Sequence, residues 1–433
     1  MQNFFKKLVL VILGIIFALF LFEVMARLTG FIKSAEVWKV PDFYYISDNE
    51  LDYDIAKNFP STLGGSFDNT EIRVESNNIG CFDSNYNGGK DTILLVGDSF
   101  TWGYVPFKSN WGTVIEQQIG KRVLKCGVPG YGTKQELLKA KKVISEIKEI
   151  PKLIIVGYYY NDILDDLLFS GSTVIVDGNL LGKKTIEDIT KKEIKINEFT
   201  DEDLKNQLAN FKKYCAPLSN THTKISCFIK KYSTTIPFLF QKTKSITANI
   251  FGLKFSSKLA GARSAISKNN SLTRNLLFIP DNSGYDWIKD AKDKNFNNIL
   301  EFKKYADSQN TKVLFVLFPS LEMVYSPFES FVKEDVPEVN FTEGNNLLKD
   351  FMDKNQIDYL DLLPHLKQYA DINKSVLTKD DLYSESNKHL NIKGNLLSGM
   401  LISQFLLDKD YDVLSIEKKS QKTEEISTFL KSF

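Results

Sequence analysis

The sequence predicts a doubly wound, three-layer α/β/α fold around a parallel sheet. Three observations carry that prediction. Short all-apolar runs at 93–96, 153–157 and 313–318 have the composition of strands buried on both faces. Helical periodicity fills 109–119, 133–148 and 294–309 between and around them. Strands and helices alternate, as a parallel sheet with crossover helices requires. The first run ends in Gly97-Asp98-Ser99, which brings a serine hydroxyl to the carboxyl edge of the sheet, where open α/β folds hold their chemistry.

Taken in order, the chain opens with Lys6-Lys7 followed by Leu8 to Phe22, fifteen residues without a charge. Counted to Ala26 the run is nineteen residues with one acid, Glu23, close to the ~20 that span a bilayer as a helix. Residues 1–27 are therefore expected to be a single-pass inner-membrane anchor. The lysines favour a cytoplasmic N-terminus and a domain outside the membrane. A cleaved signal peptide ending near Val24-Met25-Ala26, or an apolar core helix, are the alternatives. Residues 28–90 are turn-rich and read as an irregular segment wrapping the main domain, with a few edge strands.

The core proper is expected over 91–167 and 294–410. Its first part holds a strand at 92–96, a helix at 109–119, a strand at 122–126, a Gly-rich turn at 127–132, a helix at 133–148 and the strand Leu153-Ile-Ile-Val-Gly157. The second part holds a helix at 294–309, the strand Val313 to Phe318, a helix near 343–355, a short strand at 357–361 and a long helix from His389 to Leu407. Between the two parts lies an insertion, 168–293, and after them a polar tail, 411–433. From Leu204 to Pro280 there are thirteen lysines and arginines and no acid. With the whole chain at +1, the remainder is about 12 units negative. Such a basic, aromatic-rich, largely helical insertion suits a lid or platform touching anionic lipid or an anionic polymer. A solvated basic face over a mini-core accounts for it equally. The near-neutral total gives no whole-protein attraction to nucleic acid.

Cys81, Cys126, Cys215 and Cys227 show no CxxC spacing and no accompanying histidine cluster, so no metal site is expected. Cys81 and Cys126 sit where buried thiols fit; Cys215 and Cys227 are spaced to close a small disulfide loop outside the cytoplasm.

Three further stretches fall at predicted strand ends: Gly127-Val-Pro-Gly130-Tyr-Gly132, Tyr160-Asn161-Asp162, and Lys388-His389-Leu-Asn391. Acyl transfer by a serine needs a base for its proton and amide donors for the oxyanion. Of the three histidines, His222 lies in the basic insertion and His365 on an expected surface turn. His389 lies beside a strand-end loop, where a base belongs.

Together the four stretches resemble the SGNH, or GDSL-type, hydrolase family, and the forms of the last three are similar to a membrane-tethered bacterial branch. The resemblance covers 91–167 and about 294–407 and implies a flavodoxin-like sheet. It implies Ser99 as nucleophile, Gly130 as an oxyanion-hole amide, Asn161 as the block-three amide and His389 as base. Two departures stand out. Tyr159 occupies the usual glycine position of the third block. The aspartate expected two or three residues before the histidine is replaced by Asn387 and Ser386, leaving Asn387, Glu385 or Asp381 to support the imidazole. The expected activity is that of an exported, membrane-anchored serine esterase, with no metal or organic cofactor, acting on an acylated glycan or lipid-like ester. A polysaccharide O-acyltransferase and a non-catalytic glycan-binding scaffold are the alternatives.

Overall fold

The computed structural model describes residues 40–67, 70–89, 91–212, 272–373, 381–384, 387–409, 411 and 416–432, with isolated positions within 7–21. Met1–Val37 with Asp201–Ala265 form one unit, and Trp38–Thr200 with Ile266–Phe433 form the other. Among the described residues no helix is long and apolar enough to cross a membrane; nearly all of the 8–26 run lies outside them. Of the basic stretch, 213–271 likewise lies outside the described residues, with His222, Cys215 and Cys227 in it.

The larger unit opens with two antiparallel hairpins, β1 (Tyr45–Asp48) with β2 (Asp52–Ile55) and β3 (Thr62–Phe67) with β4 (Thr70–Val74). The core follows as β5 (Ile93–Gly97), α1 (Ser99–Trp102), α2 (Trp111–Ile119), β6 (Val123–Lys125), α3 (Thr133–Ile147), β7 (Leu153–Tyr159) and α4 (Asp162–Leu168). Two more hairpins come next, β8 (Thr173–Val176) with β9 (Asn179–Gly182) and β10 (Lys184–Ile189) with β11 (Ile194–Glu198). The expected helical insertion therefore begins as β structure. Its Val174-Ile-Val176 and Asp177-Gly178 carry the strand and turn chemistry that the helical reading passed over. Helix α5 (Asp201–Lys212), in the other unit, starts on three acids that complement the positive end of its dipole.

The core resumes with α6 (Asp286–Ser308), β12 (Lys312–Phe318), α7 (Leu321–Val324), α8 (Ser326–Asp335), α9 (Phe341–Lys354), β13 (Asp358–Asp361), α10 (Leu363–Asn373), α11 (Ile392–Asp408) and α12 (Ile416–Ser432). His365, expected on a turn, lies instead in α10, since Pro364 occupies a first-turn position where its missing N–H costs nothing.

The five core strands are all parallel and lie in the order β13-β12-β7-β5-β6. In chain order this is the 2-1-3-4-5 arrangement, whose direction of winding reverses between β5 and β7. Alternate strand residues, including Leu94, Val96, Ile154, Val156, Val313 and Phe315, share one buried cluster with residues of α3, α6 and α9. Helix α2 packs on α11.

Cys81 and Cys126 form a disulfide, where buried free thiols were expected. The irregular stretch after β4 runs back to the end of β6 and brings their Cα atoms to 4.4 Å, a proximity that residues 45 apart in sequence do not advertise.

Candidate active site

Ser99 and Asn161 follow the adjacent strands β5 and β7, whose Gly97 and Gly157 are paired in register. The site thus sits at the switch point of the sheet. Gly97 has φ +152°, and a Cβ there would lie 2.0 Å from Thr101 Oγ1 and 2.8 Å from the Gly157 carbonyl. Only glycine lets the chain turn this sharply from strand to helix.

Asp98 caps the helix that follows: its Oδ1 accepts from the Phe100 amide at 2.8 Å. Its Oδ2 lies 3.1 Å from Ser99 Oγ. The capping and nucleophile readings of Gly-Asp-Ser therefore coexist. Asp98 is fully buried, and burial pushes its carboxyl up to about 7 against the opposing pull of the Phe100 amide and the Ser99 hydroxyl.

His389 Nε2 lies 2.9 Å from Ser99 Oγ, although the residues are 290 apart in sequence. Its Nδ1 lies 3.0 Å from the main-chain carbonyl of Asn387. A carbonyl only accepts, so it holds the proton on Nδ1 and leaves the Nε2 lone pair toward the serine. Asn387 takes the position behind the imidazole through its backbone. Its side-chain Oδ1 instead accepts from the His389 amide at 3.0 Å, and its Nδ2 is buried without a partner. Asp381 is engaged elsewhere, accepting from the Tyr325 hydroxyl at 2.6 Å and the Tyr383 amide at 3.1 Å. Glu385 and Ser386 lie outside the described residues. Burial lowers the His389 pKa to about 4; the Asn387 carbonyl opposes this and the Arg274 charge adds to it.

The His-Leu-Asn-x-x-Gly-Asn stretch explains how the loop is held. His389 precedes α11 rather than opening it, and Asn391 is the cap, accepting from the Gly394 amide at 3.0 Å. Asn391 Nδ2 also donates to the Asp381 carbonyl at 2.7 Å. A Cβ on Gly394 would lie 2.3 Å from the Leu382 carbonyl, so this loop closes onto the helix only over glycine. Asn395 donates to the Leu390 carbonyl at 2.9 Å and accepts from the Trp111 amide at 3.3 Å.

Gly130 lies in the turn after β6 with φ +84°. The Val128 amide donates to the Gly97 carbonyl at 2.9 Å, which sets this turn beside the β5 end. The wrapping segment clamps it from outside: Tyr53 donates to the Pro129 carbonyl at 2.6 Å and Tyr131 to the Tyr53 carbonyl. Asn161 heads α4 and donates through Nδ2 to Asp165 Oδ2 at 2.8 Å, while its Oδ1 is buried and unpartnered. The sequence reading missed Asp165. Its only signal was an acid four residues after an asparagine at a helix start, one turn along the same face.

Tyr159, where the resembling family carries glycine, stacks on Phe100 with ring centroids 3.9 Å apart. Phe100 and Tyr104 lie 4.9 and 4.6 Å from the His389 ring. These rings flank a half-buried imidazole and contribute to the burial that lowers its pKa. The structure thus joins Ser99 and His389 directly and sets Asn161 and the Gly130 turn at neighbouring strand ends.

Several solved structures are similar to this chain. They include a GDSL-like lipase from Bacteroides thetaiotaomicron (11% identity, TM-score 0.30, covering 74% of this chain and 89% of the other). An acetyl xylan esterase is also similar (13%, 0.33, 74% and 99%). So is one from the rumen bacterium Butyrivibrio proteoclasticus (10%, 0.31, 75% and 66%). The chain is similar to SGNH-type ester hydrolases. No protein-family model and no curated protein matches it. At these TM-scores the likeness adds nothing to the chemistry, which stands on the SGNH-like site itself.

Proposed function

We propose that the protein is an SGNH-type serine ester hydrolase that removes an acyl group from a glycan through an acyl-serine intermediate. The observation that carries this is the 2.9 Å contact between Ser99 Oγ and His389 Nε2, with the imidazole tautomer held by the Asn387 carbonyl. His389 takes the serine proton as Oγ adds to the ester carbonyl, then returns it to the leaving alkoxide. The amides of Ser99 and Gly130 and the second Nδ2 proton of Asn161 receive the oxyanion. Water, activated by the same His389, releases the acid.

The Asn387 carbonyl orients the ring without supplying charge, so the site works as a Ser–His dyad of modest turnover. Loss of the acid in a serine triad costs about 10⁴ when the tautomer is lost with it, and here the tautomer is kept. Residence outside the cytoplasm, behind an N-terminal anchor, is supported by the apolar run from Leu8 and by the Cys81–Cys126 disulfide, a bond that oxidising compartments favour.

A fluorophosphonate probe tests the reading together with hydrolysis of acetylated xylan and p-nitrophenyl acetate. Wild type is expected to label and to cleave, and Ser99→Ala to lose labelling and at least about 10³ of the rate. Labelling that persists in Ser99→Ala, or unchanged cleavage, would overturn it.

A further inference from the structure

The rings of Tyr104 and Phe100 flank the base, and both are held in place by further rings. The Tyr104 centroid lies 4.6 Å from that of His389 with the planes inclined at 45°, and the Phe100 centroid lies 4.9 Å away at 42°. Neither ring is edge-on to the imidazole. Phe100 is 4% exposed and stacks on Tyr159. Trp102 lies 5.0 Å from Tyr104 and itself stacks on Phe82 at 4.8 Å. Phe67, from β3 of the N-terminal segment, meets Tyr104 edge to face at 5.7 Å. Tyr104 takes this position with φ +46°, in the left-handed region that a bulky residue enters only where its surroundings hold it there.

The reaction puts a positive charge between these rings. As Ser99 Oγ bonds to the ester carbon its proton passes to His389 Nε2, and the ring is an imidazolium until that proton goes to the leaving alkoxide. Nδ1, where a triad places a carboxylate, faces the Asn387 carbonyl at 3.0 Å, which orients the ring and brings only a dipole. Asp98 is engaged with the Ser99 hydroxyl at 3.1 Å and the Phe100 amide at 2.8 Å. An aromatic face carries negative π density and attracts a cation within about 6 Å of its centroid, more strongly where the cation is desolvated. Both rings meet that distance. The rings whose packing keeps the resting imidazole neutral thus also stand where its transient charge develops.

We infer that Phe100 and Tyr104 stabilise the imidazolium form of His389 through their π faces, taking over part of the work that a carboxylate does in a Ser-His-acid triad. The inference rests on the hydrolase reading above. Both are positioning residues, since they act through His389 and not on the ester. Tyr104 carries the sharper test: it is half-buried and lies beyond the helix that presents Ser99, whereas Phe100 is packed inside that helix.

In the full-length protein, Tyr104 is replaced by leucine, by phenylalanine and by phenylalanines carrying one, two or three ring fluorines, and hydrolysis of p-nitrophenyl acetate is followed. Fluorine withdraws π density while changing the ring's shape and apolarity little. Tyr104→Phe is expected to keep most of the turnover, and kcat to fall stepwise with each added fluorine. The trifluorinated ring and Tyr104→Leu should both approach a loss of about tenfold, the scale of one partly desolvated cation–π contact. KM stays level, because the charge exists only in the transition state. Acylation and deacylation both pass through the imidazolium, so the loss appears whichever step limits turnover. A kcat independent of fluorination overturns the inference and leaves the hydrolase reading intact, even where Tyr104→Leu is inactive, since that loss alone is one of packing. A loss of about tenfold in Glu385→Gln beside a flat fluorine series also overturns it, giving the charge to that carboxylate. Absence of fluorophosphonate labelling in wild type removes both readings together.

Discussion

Asn161 has two amide protons, and its hydrogen bond to Asp165 commits one of them, leaving the other for an oxyanion at the end of β7. Asp165 is thus a positioning residue, one helical turn behind the group it aims. Replacing it tests this at single-residue scale. Asp165→Ala should lower kcat about tenfold with little change in KM, a fraction of the 10²–10³ lost when an oxyanion donor is removed outright. Asp165→Asn should keep most activity, because its carboxamide oxygen still accepts the same proton. In an Asn161→Ala background Asp165→Ala should cost nothing more; an undiminished second loss there would assign Asp165 a purely structural role.

Helices α3 and α4 face each other behind the site across a set of buried and half-buried acids. Asp98, Glu136, Asp162, Asp165 and Asp166 all have raised carboxyl pKa values, with burial the largest cause in each. For Glu136, Asp162 and Asp165 mutual repulsion adds to burial. Asp166 reaches about 6, tempered by hydrogen bonds from Asn295 at 2.8 Å and the Lys134 amide at 2.9 Å. Both oxygens of Glu136 are buried without a partner. A carboxyl with a raised folded pKa binds more protons folded than unfolded. Each such group therefore withdraws stability as pH rises from its unfolded value toward its folded one, by about 1.4 kcal/mol per pH unit while it stays protonated. For Asp98 that window runs from 3.8 to about 7, and for Asp166 from 3.8 to about 6. Thermal melts should show the protein more stable at pH 5 than at pH 8. Glu136→Gln, which keeps the shape and cannot ionise, should flatten that slope and raise the melting temperature at pH 8. Identical slopes for wild type and variant would contradict this account of the element pair.

At the scale of the whole molecule, the N-terminal hairpins act as a brace for the catalytic turn. Tyr53 and Tyr131 hold the Gly130 loop, and Lys139, buried in α3, reaches Asp54 of β2 at 2.6 Å. The Cys81–Cys126 bond ties the same segment covalently to the end of β6 across 45 residues. Closing a loop of that length in the unfolded chain is worth about 4 kcal/mol. Cys81→Ala with Cys126→Ala, or reduction of the native bond, should lower the melting temperature measured by calorimetry while kcat at 25 °C is kept, since the hydrogen-bonded clamp on the turn is separate from the bond. Indistinguishable melts with and without reductant would count against it.

The sheet and the places where chemistry attaches to it were readable from the residues alone. All-apolar runs such as Ile93 to Val96 can only be strands covered on both faces, and the glycines at their ends mark sharp exits from the sheet. Local patterns also located Ser99 and Asn161 at strand ends and His389 in the loop before α11. Tertiary structure decided what stands behind each of them, because those partners are not marked by residue type at a fixed spacing. The support for the imidazole comes from a main-chain carbonyl, which every residue possesses, so Asn387 advertised only its side chain. The disulfide joins two cysteines whose proximity depends on the path of an irregular segment, and the two hairpins of 173–198 were hidden in a stretch read for its charge. Composition and spacing record what a residue is, whereas its pKa, its partner and its access to substrate depend on which distant atoms the fold brings against it.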